Sequence, residues 1–432
     1  MAGPLYWLGT KCVRRRYVVL AVWVAIVAVL VAFAKHAGSQ TSDNLTLPGS
    51  GSQKATDLLT KRFPAQANGT NPVVMAAPAG AKLSDKKYSD AVAATVKSLK
   101  KDHDVASAVS PLSKAGKNFL SEDGRIGYIS LVLNDSPSQL TVDDAHRIVD
   151  REAVARKAGL KVATGGYLGQ KVSKPSTHSS EAVGLTAAVI VLVVTFGTVV
   201  AMGLPIVTAL LGLASGLSII ALVGRATEVP TVAPTLATMI GLGVGIDYAL
   251  FIVTRHKQQM AGGLELRESI ARATATSGGA VCFAGGTVIV ALCSLFFAGI
   301  PLVSTLGYTA AIAVLVAVLG AVTLLPALLA VVDRHIYSLK LPLPQPKHDE
   351  RPHGWARWAA FVARHPLPAV IVSVTFLALL ALPARHMHLG QSDTGALPED
   401  TTARQANDLL TQGFGPGTAG PLLVAIRLDS PA

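Results

Sequence analysis

The chain is poor in cysteine and in charge. Only three of its 432 residues are cysteines, Cys12, Cys282 and Cys293. None falls in the long polar region between residues 39 and 180, so no disulfide framework is implied there. Charged residues make up 15% of the chain and hydrophobic ones 50%, with a mean hydropathy of +0.47. That balance fits a polytopic membrane protein better than a soluble enzyme. The stretch from 182 to 224 has no charge at all. No phosphate loop of the form GxxxxGK[ST] occurs, so ATP is not the energy source on this chain. The polar region offers no nucleophile–base pairing and no metal-ligand spacing, and the chain is read as a non-enzyme. His386-Met387-His388 lacks a third ligand nearby and reads as surface. The net charge of +12 raises the question of nucleic acid. The basic residues sit largely at the ends of apolar runs, however, so anionic membrane lipids are the expected counter-charge and nucleic acid is not.

What the chain does have is one acid inside an apolar run. From Thr231 to Thr254 the sequence is long enough, at about 1.5 Å per residue, to cross a ~30 Å hydrocarbon layer. Asp247 lies inside it, followed by Tyr248. A carboxylate there costs roughly 2.5–3.5 kcal/mol on insertion scales and marks a functional site by default; the bland alternative is a structural hydrogen bond between helices. Gly241, Gly243 and Gly245 strip the same helix of bulk, and Gly241 and Gly245 share a face that a neighbouring helix can approach closely. The glycines do not form a nucleotide loop. Ile246 stands where GxGxxG needs glycine, and no strand precedes it.

Around that helix the chain divides into six parts. Residues 1–38 hold a basic N-terminus and a first span; Ala32-Phe33-Ala34 has the form of a signal-cleavage site, but the apolar run from Tyr17 is longer than such signals. Arg14, Arg15 and Arg16 place the N-terminus inside. Residues 39–180 form an extracytoplasmic α/β domain. Strands are expected at Pro72–Ala77, Val105–Val109, Ile126–Leu133 and Leu160–Ala163. Helices are expected over Ser84–Lys101 and Val142–Ala158, the second with Thr141 as N-cap and Asp144 three residues on. This β-α-β-β-α-β order is the split arrangement of ferredoxin-like domains. Residues 181–332 carry spans two to six. The uncharged run is too long for one span, and Gly203-Leu204-Pro205 is the expected turn between two, with Arg225 and Glu228 at the outer surface. Leu264–Thr276 is expected to be a separate cytoplasmic linker helix ahead of spans at Gly279–Ala298 and Val303–Val332. Residues 333–366 are a cytoplasmic linker in which Trp355, Trp358 and Phe361 recur at helical spacing, as in an interfacial helix. A seventh span occupies 367–385, and 386–432 open a second outer domain.

The last part repeats the first. Ser42-Asp43 and Leu47-Pro48 return as Ser392-Asp393 and Leu397-Pro398. Asp57-Leu58-Leu59-Thr60 returns as Asp408-Leu409-Leu410-Thr411, Phe63 as Phe414, and the strand after Pro72 as the one after Pro421. Such repeats mark the pseudo-symmetric halves of transporters. The chain thus reads as one complete half and a truncated start of the next. Its tail, residues 390–432, lacks the rest of its sheet and is expected to be mobile or to pair opportunistically.

One helix, an outer domain, five helices and then a repeat: this plan resembles the MmpL group of the RND transporter superfamily. The likeness covers the whole chain and is densest at GLGVGIDYALFIVTRH. The resemblance implies the first half of an RND-type two-repeat fold in a bacterial cytoplasmic membrane. It also implies export of lipids or hydrophobic metabolites, driven by proton flow through an aspartate–tyrosine relay to which Asp247 and Tyr248 contribute. No cofactor is implied beyond the proton gradient. The family commonly has a basic residue where Gly279 stands and often a serine where Ala284 stands. Thr287, on the face of Ala284, is the nearest polar support for the relay. A second half or a homo-oligomer is the expected partner. Two other readings share the helix plan: a sterol-sensing or receptor-like protein, and a protein-translocation accessory. A third is a truncated or split half-transporter, inactive alone.

Overall fold

The computed structural model describes residues 2–37, 49–63, 69–134, 140–173, 178–227, 229–332, 335, 354–387, 394–418 and 425–426. Glu228, His388, Ser392-Asp393 and the segment after Pro421 as far as Val424 lie outside them. The chain forms two compact units, Met1–Leu341 with Leu397–Ala432, and Pro342–Ala396. Among the described residues six helices are long and apolar enough to cross a membrane.

The first unit begins with a short helix, α1 (Ala2–Arg14), and the first span, α2 (Arg16–Ala37). After α3 (Gly51–Arg62) comes the α/β region: β1 (Asn71–Ala76), α4 (Lys86–Leu99), β2 (Val105–Val109), β3 (Ile126–Leu133), α5 (Val142–Asp150), α6 (Ala153–Lys157), β4 (Lys161–Thr164) and α7 (Gly166–Val172). The strands form one antiparallel sheet in the order β2-β3-β1-β4, with Asn71 opposite Leu131 and Val73 opposite Thr164. Element order and sheet order agree with the arrangement expected from sequence. Thr141 and Asp144 cap α5 reciprocally, the Thr141 side chain accepting from the Asp144 N–H and the Asp144 carboxylate from the Thr141 N–H. The helix expected over 142–158 breaks at Arg151–Glu152, where the chain turns to place α6.

Strand alternation sends side chains to both faces of this sheet. Val73, Met75, Ile129, Leu131 and Val162 pack with Val92 and Leu99 of α4 and Ile148 of α5. Val74, Ala76, Ile126 and Ala163 face the other way. They are covered by α16 (Thr402–Phe414), through Ala406, Leu409 and Leu410. This corrects the expectation for the tail. Residues 402–414 are a packed helix on the first sheet, because that sheet has a second apolar face to bury.

The membrane region continues with α8 (His178–Phe196), α9 (Val199–Val223), α10 (Ala233–Ala261), α11 (Leu266–Ser294), α12 (Pro301–Leu319) and α13 (Leu325–Val332). The break in the uncharged run is not at Gly203-Leu204-Pro205. Gly197, at φ +65°, ends α8, and Pro205 sits inside α9. Only glycine takes that left-handed turn without strain, whereas the Pro205 ring costs α9 a single hydrogen bond. The apolar stretch of α8, Ala182–Phe196, is therefore shorter than the other spans. The expected linker helix is likewise not separate. α11 runs unbroken from Leu266 to Ser294 through Gly278 and Gly279, since glycine costs a helix interior only about 1 kcal/mol. A π-helical turn, Gly320–Leu324, joins α12 to α13, and Thr323 there accepts a hydrogen bond from Trp23 of α2 at 3.1 Å.

The second unit holds α14 (Trp355–Arg364), with stacked Trp358 and Phe361, and α15 (Pro366–Ala381), an apolar helix.

Candidate functional site on helix α10

α10 is the centre of the bundle, packing against α9, α11 and α12. Its inner face carries a small residue every fourth position: Ala233, Ala237, Gly241, Gly245 and Ala249 are all buried. This spacing is one stripe of a helix. A Cβ on Gly245 would stand 3.2 Å from Ala209 Cβ of α9 and 3.9 Å from Ala317 Cβ of α12. On Gly241 it would stand 3.5 Å from Ala313 Cβ. The two glycines expected to permit close packing therefore meet α9 and α12 directly. Gly243 does not. Nothing lies within 4 Å of a Cβ placed on it.

Gly243 belongs instead to a second stripe on the opposite face: Met239, Gly243, Asp247, Phe251 and Arg255, again four apart, are all exposed on this bundle. Asp247 makes no hydrogen bond or ion pair among the described residues. Tyr248, the next residue, turns inward and is 9% exposed. Its ring lies against α11 at Gly285, with Cε2 and the hydroxyl oxygen 3.4 and 3.5 Å from where a Cβ would be. Sequence neighbours thus face opposite surroundings, one in the core and one on the open face.

Thr287, two residues past Gly285, is exposed, and its hydroxyl donates to the Phe283 carbonyl of its own helix at 2.9 Å. No hydrogen bond joins it to Asp247 or Tyr248 among the described residues. Ala284 is exposed, and Gly279 faces Leu5 of α1. At the far end of α10, His256 is buried, with Nδ1 2.8 Å from Ser269 Oγ of α11. Beside it the Lys257 ammonium donates to the Phe196 carbonyl at 3.0 Å, closing the end of α8. Sequence reasoning passed over Gly285, His256 and Ser269. A histidine at the basic end of that long apolar helix was the available signal for that pair.

One cluster in the α/β domain has metal-ligating residue types, Asp102, His103 and Asp104. Their oxygens are already engaged. Arg151 Nε donates to Asp102 at 2.7 Å, and Arg147 bridges Asp102, Asp104 and Asp144. The arrangement is an ion-pair network tying α5 to the turn before β2.

The MMPL family model matches residues 44–369. The chain belongs to the MMPL family. It is 34% identical over 98% of its length to the membrane protein YdfJ of Bacillus subtilis, 58% of which is covered. It is 28% identical over 97% of its length to the mycolic acid-containing lipids exporter MmpL11 of Mycolicibacterium smegmatis, with 45% of that protein covered. To the trehalose monomycolate exporter MmpL3 of Mycobacterium tuberculosis it is 23% identical over 98% of its length, covering 48% of that protein. The chain therefore spans about half the length of the relatives it matches. These findings make it a multi-pass membrane protein of a transporter family.

Proposed function

We propose that this chain is the first half of a proton-driven exporter of lipids or other hydrophobic compounds, with Asp247 as its titrating group and Tyr248 beside it. The observation that carries this is the face on which Asp247 stands. An acid on an apolar helix costs roughly 2.5–3.5 kcal/mol against lipid, so its face needs a polar cover. A second half of the same kind, packed on the Met239–Arg255 stripe, supplies one. There the carboxylate is shielded from bulk water and takes up and releases a proton instead of staying charged. Each proton moving down 100 mV yields about 2.3 kcal/mol, on the scale needed to rock one bundle against another.

The names of MmpL11 and MmpL3 support a lipidic substrate, and the family supports transport. The basic ends of the spans support a cytoplasmic N-terminus: Arg14–Arg16 before α2 and Arg255–Lys257 near the end of α10 fall on one side. On this reading the 432 residues alone do not transport, since alternating access needs two halves around a shared site.

Asp247→Asn is the test, made in the protein of the relatives' length and reconstituted in vesicles with an imposed proton gradient. Asparagine keeps the shape and the hydrogen bonding but cannot titrate. Proton-coupled movement of a lipid substrate should be lost while insertion and folding persist. Tyr248→Phe should be milder. Full transport by Asp247→Asn reduces the acid to a structural role.

A further inference from the structure

The span built from α12 and α13 changes its winding part-way along. α12 ends at Leu319 and α13 begins at Leu325. Between them Gly320–Leu324 is wound as a π-helical turn, with the Leu325 N–H donating to the Gly320 carbonyl, five residues back. The sequence dictates this defect. Pro326 has no N–H for the Val322 carbonyl, and in an ordinary α-helix its ring clashes with that carbonyl, so the preceding turn widens.

The turn lies between two sets of attachments. Before it, α12 meets α10: Ala313 stands at Gly241 and Ala317 at Gly245, while Val318 lies against Gly285 beside the Tyr248 ring. From α2, the Trp23 indole N–H donates to the Thr323 hydroxyl inside the turn at 3.1 Å. The same hydroxyl donates to the Leu319 carbonyl, the kind of back-bond that bends helices. Beyond the turn, Arg16 of α2 donates to the Ala330 carbonyl and holds α13. α10 is thus fastened to one side of the turn and α2 to the turn and its far side.

We propose that Gly320–Leu324 is a hinge between these two attachments, with Trp23 and Thr323 as the positioning residues that latch it. A displacement of Tyr248 then reaches α2 through Val318 and the turn. The proposal rests on the reading of Asp247 and Tyr248 as the proton-coupling pair. Hinges are a few element-terminal residues that absorb a change in backbone angles. A turn that has already given up an α-helical hydrogen bond to Pro326 is where this span takes up such a change at least cost.

Hydrogen exchange read by mass spectrometry on the purified 432-residue chain tests the hinge without an assay of transport. Trp23→Phe removes the N–H and keeps an aromatic ring. Thr323→Val removes the hydroxyl and keeps the shape, whereas Thr323→Ser keeps the hydroxyl. Peptides covering 319–325 should exchange about two- to tenfold faster in Trp23→Phe and Thr323→Val, the range that one hydrogen bond spans. Thr323→Ser should stay near the parent rate, and the body of α12 should not change in any of the three. Tyr248→Leu tests the transmission, with Val318→Ala as the second variant should the first fail to fold. Either should speed exchange at 319–325 by an amount that does not add to that of Thr323→Val. Parent-like exchange in Trp23→Phe and Thr323→Val overturns the latch, and so does a Thr323→Ser chain that behaves like Thr323→Val. Strict additivity, or no effect of the Tyr248 and Val318 substitutions, overturns the transmission and leaves the turn a local consequence of Pro326. Full transport by Asp247→Asn would instead remove the proton reading, while the exchange rates still decide the hinge.

Discussion

The ring of Tyr248 lies over the bare backbone of Gly285. A Cβ on that glycine would come within 3.4 Å of Tyr248 Cε2 and would collide with Val318 Cγ2 of α12. Three helices meet at this point, and the absence of one side chain lets the tyrosine sit inward while Asp247 faces out.

Gly285→Ala is therefore expected to destabilise the bundle by about 1–3 kcal/mol, the usual cost of overpacking. Val318→Ala removes the colliding methyl and should recover part of that loss in the double variant. Thermal unfolding of the four proteins in detergent gives the cycle. Strict additivity would mean that the two side chains do not meet.

The α/β domain should lose stability as pH rises toward neutrality, because of Glu152. Its side chain is fully buried. Burial pushes the carboxyl up to about 7 despite a hydrogen bond from Thr164 and the charge of Arg156. A folded-state pKa raised above the ordinary value of 4.5 gives stability that is full below 4.5 and is lost as pH climbs through 7. The loss is on the order of 3 kcal/mol at about 1.4 kcal/mol per pH unit. Proteolysis of the α/β domain on heating should begin at lower temperature at pH 8 than at pH 5. Glu152→Gln should flatten that dependence. An unchanged slope would place the titrating group elsewhere.

Much of this was legible in the sequence. Asp247 in an apolar run pointed to the candidate site, and the order of strands and helices pointed to the sheet. Pairs of breakers were not legible. Gly197 and Gly203-Leu204-Pro205 both punctuate the uncharged run, and span length alone does not choose between them. Only the left-handed turn at Gly197 decides. The packing of α16 was invisible for a different reason, since it joins residues more than two hundred positions apart, as at Thr164 and Thr402. One signal was present. β1 reads as a continuous apolar run, Pro72 to Ala77, and such strands are buried on both faces.

The two repeat helices should respond differently to the same substitution. Leu410 is 3% exposed against the sheet, so Leu410→Ala should cost about 2–5 kcal/mol of the α/β domain's stability. Leu59→Ala, at a half-buried position on a helix with no fully buried residue, should cost about 1 kcal/mol or less. Equal costs would show that α3 is packed in the isolated chain.

The arrangement of spans is checked by access. Ser107 is exposed on β2 and Gln258 is exposed near the end of α10. A cysteine at position 107 should label from outside intact cells, and one at position 258 only after the membrane is opened. Labelling of position 107 from the cytoplasmic side alone would invert the topology and remove the exporter reading with it.

Gly243 gives the sharpest separation between the isolated half and the whole. It lies one turn from Asp247 on the exposed stripe, and a side chain there meets nothing within 4 Å in this bundle. Gly243→Leu should therefore leave the stability of the 432-residue chain unchanged or slightly raised, since leucine is the better helix former by up to about 1 kcal/mol. If a second half closes on the stripe, the same leucine intrudes where backbones must approach. Transport by the protein of the relatives' length should then fall steeply, although the first half still folds and inserts. Gly245→Leu is the contrast, since Ala209 stands 3.2 Å from its Cβ position and the first half itself should fail to pack. Undiminished transport by Gly243→Leu would mean that the Asp247 face meets lipid or water, and the polar cover proposed for that acid would have to come from somewhere else.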